Sequence, residues 1–135
     1  MNRTLVVDDS PTMRRMVMAS LRDVCAGGFA EAGSGLEAIE QLALGPIDLM
    51  VLDLNMPDMH GLDVLKFLRA HQAFRTVPVI VLTTRGDEPS RAAALAAGAT
   101  LYMTKPFVPQ VLAARARELL GQADAVAKGG RPHGG

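Results

Sequence analysis

Short runs of consecutive aliphatic residues recur along this chain, and they constrain its fold more tightly than any other feature. Leu5-Val6-Val7, Leu49-Met50-Val51-Leu52 and Val79-Ile80-Val81-Leu82 do not alternate with polar residues. Strands of that kind are covered on both faces, as in a parallel sheet sandwiched by helices. A shorter run, Leu101 to Thr104, and the stretch Phe29 to Ala32 complete five strand candidates. Helical patterns alternate with them throughout, so the chain reads as successive βα units forming an α/β fold.

The helix boundaries carry their own signals. Ser10-Pro11 supplies an N-cap and a proline at the first helical position, after which Met13, Met16, Val17, Ser20, Leu21 and Val24 recur at helical spacing. This first helix is expected to end at Gly27-Gly28. A second, with Ala38, Ile39, Leu42 and Ala43 on one face, should stop at Gly45-Pro46. The central strand is expected over Ile47 to Leu54, and Leu62, Leu65 and Leu68 mark the inner face of a third helix. Asp87-Glu88-Pro89 opens an alanine-rich helix ending at Gly98, and Pro109 begins a last helix reaching about Leu120. Residues 1–121 thus form one domain, and 122–135 lose the apolar periodicity and read as a flexible tail.

Composition narrows the function classes. At 135 residues the chain can bury a single adequate core without disulfide or structural metal. Aromatic residues are scarce and methionine is plentiful, so Ala, Val, Leu and Met should fill that core. Acidic and basic side chains balance at fourteen each, which argues against a general electrostatic grip on nucleic acid or an anionic membrane. The lone Cys25 reads as a buried structural thiol in a reducing compartment. Without a membrane-spanning run or an apolar leader, the expected location is the cytoplasm.

The candidate site lies where the strands end. Asp8 and Asp9 follow the first run, Asp53 the central one, Thr83 closes the fourth and Lys105 follows the fifth. If the strands are parallel, these groups gather at the carboxyl edge, where open α/β sheets bind ligands. Clustered carboxylates repel one another unless a hard cation lies among them, which points to oxygen-ligated Mg²⁺. Ser10 already supplies the cap, so capping does not account for two successive aspartates. Asn55 can offer a carbonyl to the same cation, and Met56-Pro57 turns the chain out of the strand. Asp53 is then a candidate nucleophile toward phosphorus, Lys105 a compact charge for phosphate oxygens, and Pro106 a candidate cis residue.

Together, Leu5-Val6-Val7-Asp8-Asp9-Ser10, Val51-Leu52-Asp53-Leu54-Asn55-Met56-Pro57 with Gly61, Val81-Leu82-Thr83 and Met103-Thr104-Lys105-Pro106-Phe107 resemble the receiver domain of two-component response regulators. The single-domain, chemotaxis-type (CheY-like) receivers are the nearest in organisation. The resemblance implies a flavodoxin-like, doubly wound (βα)5 fold with strand order 2-1-3-4-5. It further implies that Asp53 is the phosphoacceptor, that Asp9 ligates Mg²⁺ directly and Asp8 mostly through water, and that the Asn55 carbonyl completes the protein ligands. Lys105 would pair with the phosphoryl group and Thr83 would move toward it. Tyr102 matches the aromatic that turns inward on activation, though an ordinary cross-strand tyrosine is an equal reading. Thr84 is bulkier than the residue often found there and Arg85 replaces an acidic or polar one, both bearing on phosphoryl lifetime.

The implied function is a phosphorylation-activated switch that takes its phosphoryl group from a histidine kinase, CheA-like in chemotaxis. It would signal through the face formed by the fourth helix, fifth strand and fifth helix, with Arg91, Tyr102, Lys105, Val108 and Val111 meeting a target protein or a second copy in a phosphorylation-dependent homodimer. A phosphate sink and a phosphorelay intermediate are alternatives within this reading. A small Mg²⁺-dependent aspartyl-phosphate phosphohydrolase is a weaker one, because Asn55 cannot serve as the acid or base two residues after the nucleophile. His60, His71 and His133 lack zinc-ligand spacing, and Arg14-Arg15 and Arg115 with Arg117 read as solvated helix faces.

Overall fold

The computed structural model describes residues 3–56 and 58–129, with side chains described as far as 121. Pro57 and the segment 130–135 lie outside the described residues, and with them His133. Strands β1 (Thr4–Val7), β2 (Phe29–Ala32), β3 (Leu49–Leu52), β4 (Val79–Thr83) and β5 (Leu101–Thr104) alternate with helices α1 (Pro11–Leu21), α2 (Gly35–Leu44), α3 (Gly61–Ala70), α4 (Glu88–Ala97) and α5 (Pro109–Gly129). All strand pairs are parallel and their order is β2-β1-β3-β4-β5. This is the expected doubly wound arrangement, and β1 and β3 are interior strands.

The unbroken aliphatic runs serve two cores at once. Leu5, Val7, Met50, Leu52, Val79 and Val81 face Ala38 and Leu42 of α2, Val64, Leu65 and Leu68 of α3, and Ala94 of α4. Their neighbours Val6, Leu49, Val51, Ile80 and Leu82 face Val17 and Leu21 of α1 and Leu112, Ala116 and Leu119 of α5. Successive strand side chains point to opposite faces, so a run buried on both sides has no polar position. The core is aliphatic, as the composition requires. Cys25 is buried within it, its thiol 2.9 Å from the Thr4 hydroxyl, and burial pushes its pKa up.

Local capping explains most helix boundaries. Ser10 Oγ accepts from the Met13 amide at 3.1 Å, Ser34 Oγ from Glu37 at 3.2 Å, and the Asp87 carboxylate from Ser90 at 3.0 Å. Gly98 ends α4 at φ +116°, a left-handed conformation that favours glycine. Two helix boundaries and one strand differ from expectation. Helix α1 stops at Leu21 rather than Gly27-Gly28, because the Leu21 carbonyl takes the Val24 amide at 2.9 Å and the Cys25 amide at 3.0 Å, tightening the chain into a turn. Helix α5 continues past Leu120 to Gly129: Gln122, the alanines and Lys128 are strong helix formers even where apolar periodicity is lost. β3 is also shorter than Ile47 to Leu54, which leaves Asp53 immediately beyond its last residue.

Candidate functional site

Parallel register delivers the acids to one place. Val7 and Leu52 are partners at the ends of β1 and β3, so Asp8 and Asp53 leave the sheet side by side. Their backbones are held there: the Asp8 amide donates to the Ala32 carbonyl at 3.0 Å and the Asp53 amide to the Val7 carbonyl at 2.9 Å. Oxygens of Asp8, Asp9 and Asp53 all lie within 4.8 Å of one another. Asp8 and Asp53 are buried, whereas Asp9 is exposed. Asn55 follows on the exposed loop, its amide 3.4 Å from Asp53 Oδ1.

Lys105 comes off the edge strand β5 and reaches across to the acids. Its Nζ is 2.7 Å from Asp8 Oδ2 and 3.6 Å from Asp53 Oδ2, and its side chain is only 11% exposed. The Lys105–Pro106 peptide bond is cis, as suspected. Since Lys105 is turned into this cluster, it does not join Val108 and Val111 on the outer face, contrary to expectation. Thr83 ends β4 as a fully buried residue.

The electrostatics of the cluster follow from its burial and its crowded charges. Burial raises the Asp53 pKa above its ordinary value and the neighbouring Asp8 charge raises it further; Lys105, the Asn55 amide and the Thr83 hydroxyl oppose the rise. One lysine cannot neutralise three carboxylates. An all-oxygen donor set of this kind suits Mg²⁺, which is hard and retains several waters, better than a metal that prefers nitrogen or sulfur. Among the described residues this is the cluster whose ligand atoms converge for a metal. His60 is engaged elsewhere, its Nδ1 accepting from the Leu62 amide at 3.1 Å as the cap of α3.

Tyr102 lies outside the cluster. Its ring packs against the core on the side of α2, α3 and α4, and its hydroxyl donates to the Arg85 carbonyl in the loop after Thr83. Thr84 and Arg85 are exposed; the Arg85 guanidinium lies 3.9 Å from the Asp87 carboxylate and donates to Ser90 Oγ at 3.1 Å. A groove of about 410 Å³ beside Tyr102 is lined by Arg91, Phe107, Val108 and Val111, and joins α4, β5 and α5.

Three supporting residues escaped the sequence reading. Arg14 is not a solvated helix residue: it donates to the Asp8 carbonyl at 2.6 Å and to Glu31 at 2.9 Å. Asp58 accepts from the Gly35 and Leu36 amides, both at 3.0 Å, and so ties the loop after β3 to the start of α2. Those two bonds hold its carboxyl below the usual carboxylate range. Arg69 donates to the carbonyls of Gly98, Arg75 and Val77, binding α3 to the end of α4. Each spans segments far apart in sequence, and the one available signal, a charged residue within one helical turn of a cap, is too common to single them out.

Residues 4–117 match the family model described as "Response regulator receiver domain". The chain is 42% identical over 123 residues to "Chemotaxis protein CheY1" of Helicobacter pylori, covering 90% of this chain and 99% of that one. It is 38% identical over 120 residues to "Chemotaxis protein CheY homolog" of Campylobacter jejuni, covering 88% and 92%. Among solved structures, the chemotaxis response regulator CheY4 of Vibrio cholerae superposes with a TM-score of 0.80 at 31% identity, covering 88% of this chain and 98% of that one.

Proposed function

The chain belongs to the response regulator receiver domain family and is homologous to CheY chemotaxis response regulators, and we propose that it is switched by a phosphoryl group taken onto Asp53. The observation that carries this reading is the convergence of Asp53, Asp8, Asp9 and Lys105 at the carboxyl edge of the sheet. In this reading the receiver occupies residues 1–121. A metabolite phosphohydrolase is not favoured by these relatives.

An ionised Asp53 oxygen attacks the phosphorus of a phosphohistidine on a partner kinase. The O–P bond forms as the P–N bond breaks, and the electron pair leaves with the imidazole. Asp9, Asp53 and the Asn55 carbonyl, with Asp8 through water, would hold Mg²⁺, whose charge offsets that of the phosphoryl oxygens. Lys105 supports ionisation of Asp53 beforehand and pairs with the phosphoryl group afterwards. The added charge, about −1.5 to −2, gives the Thr83 hydroxyl a new acceptor and draws on the loop that carries Arg85. Since Tyr102 is bonded to that loop, the groove joining α4, β5 and α5 is where a target protein, or a second copy, would sense the change. No helix among the described residues is long and apolar enough to cross a membrane.

Incubation with acetyl phosphate, with and without Mg²⁺, tests the mechanism by intact mass. The parent should gain one phosphoryl group only when Mg²⁺ is present, and Asp53→Ala should gain none. An adduct of equal size on the variant would place the acceptor elsewhere.

A further inference from the structure

Asp9 poses a positioning problem that Arg14 resolves. The Asp9 carboxylate is exposed and makes no hydrogen bond or ion pair among the described residues, yet it is gathered with Asp8 and Asp53. Its backbone must therefore aim it. The Asp8 carbonyl belongs to the peptide unit that leads into Asp9, and that oxygen accepts from Arg14 Nη1 at 2.6 Å. The same guanidinium donates through Nε to Glu31 Oε1 at 2.9 Å, with the arginine side chain only 17% exposed. Glu31 pairs with Val6 across the β1–β2 ladder, so Arg14 is braced against a neighbouring strand rather than free in solvent.

On the other side of the residue, the Asp8 amide is bound to Ala32, and its carboxylate accepts from the Ser10 amide at 2.9 Å and from Lys105. The Asp8–Asp9 peptide plane thus cannot turn without breaking a charge-assisted bond, roughly twice as strong as a neutral one.

We propose that Arg14 is a positioning residue for the cation: by anchoring the Asp8 carbonyl it holds Asp9 at ligand distance and so sets the divalent affinity of the site. This rests on the reading of the acidic cluster as a Mg²⁺ site. The role calls for arginine, because a planar fork bridges a carbonyl and a carboxylate at once while a lysine offers one compact charge. Partners that orient ligands in this way typically govern affinity about 10- to 100-fold.

The test is calorimetric titration of the full-length protein with Mg²⁺, at a temperature where far-UV circular dichroism shows every variant folded. Arg14→Lys and Arg14→Ala should each bind Mg²⁺ about tenfold or more weakly, and Asp9→Ala should lose binding. Parent-like affinity in Arg14→Lys would overturn positioning in favour of charge alone. A lowered melting temperature in chelator with unchanged affinity in both Arg14 variants would reduce the residue to a structural brace and overturn the proposal. If the parent itself failed to bind, or Asp9→Ala bound equally well, the Mg²⁺ reading would fall and the proposal with it.

Discussion

Gly61→Ala probes how closely the fold and the site are joined. A Cβ at Gly61 would lie 2.7 Å from the carbonyl oxygen of Asp53 and 2.7 Å from the Leu54 Cα, with a Leu54 methyl at 3.0 Å. Two of those neighbours are backbone atoms, which cannot swing aside as a side chain can. The Gly61 amide also donates to the Leu54 carbonyl at 2.9 Å, so sliding α3 outward weakens that bond. Overpacking typically costs about 1–3 kcal/mol, and loss of the hydrogen bond adds about 1 kcal/mol. Helix propensity returns at most about 1 kcal/mol for glycine to alanine. The net loss should be about 1–3 kcal/mol, read as a lower urea midpoint at unchanged slope. Because the displaced atoms belong to the peptide units of Asp53 and Leu54, phosphorylation by acetyl phosphate should also slow, by up to about 100-fold for a displacement near 1 Å. Gly121→Ala is the control: it lies in α5, where the added methyl meets nothing within 4 Å beyond the adjacent backbone of its own helix, and it should gain about 0.5–1 kcal/mol. Parent-like stability and phosphorylation in Gly61→Ala, or equal behaviour of the two variants, would refute the steric argument.

The remaining predictions concern charge, anchoring and the thiol. The Asp53 carboxyl is raised in the folded protein, so its contribution to stability is greatest below the ordinary value of 3.8 and is lost as pH rises through the folded value. Asp53→Asn should therefore stabilise the protein in chelator more at pH 7 than near pH 4; urea midpoints that show no such difference would contradict the raised value. Arg69→Ala should cost about 2–4 kcal/mol, because the carbonyls of Gly98, Arg75 and Val77 lose a charged donor together, with lysine restoring only part; chemical denaturation reads both. Cys25 is 3% exposed with a raised pKa, so a thiol reagent should label it slowly in the native protein and at once in denaturant; fast native labelling would show that the pocket around Thr4 opens.

Much of this architecture is written in local pattern. Unbroken aliphatic runs imply burial on both faces, and Ser10-Pro11, Gly45-Pro46, Asp87 and Gly98 punctuate helices through interactions within a few residues. The acids, the threonine and the lysine were legible as a set because each directly follows or closes a strand, and parallel strands share a carboxyl edge. What local pattern misjudged was reach. α5 extends to Gly129 through residues of high helix propensity, and α1 stops at Leu21 where a tighter turn competes with the helical bond.

The sequence by itself determined the repeating βα plan and the chemical identity of the site, since both depend on residue type and spacing along the chain. Tertiary structure alone decided that Lys105 turns inward to Asp8 rather than outward, that Tyr102 is bonded to the Arg85 carbonyl, and which carbonyls and amides Arg14, Asp58 and Arg69 reach. The physical reason is that a hydrogen bond between distant segments depends on where two backbones pass, within a few tenths of an ångström. No residue's own propensity carries that information.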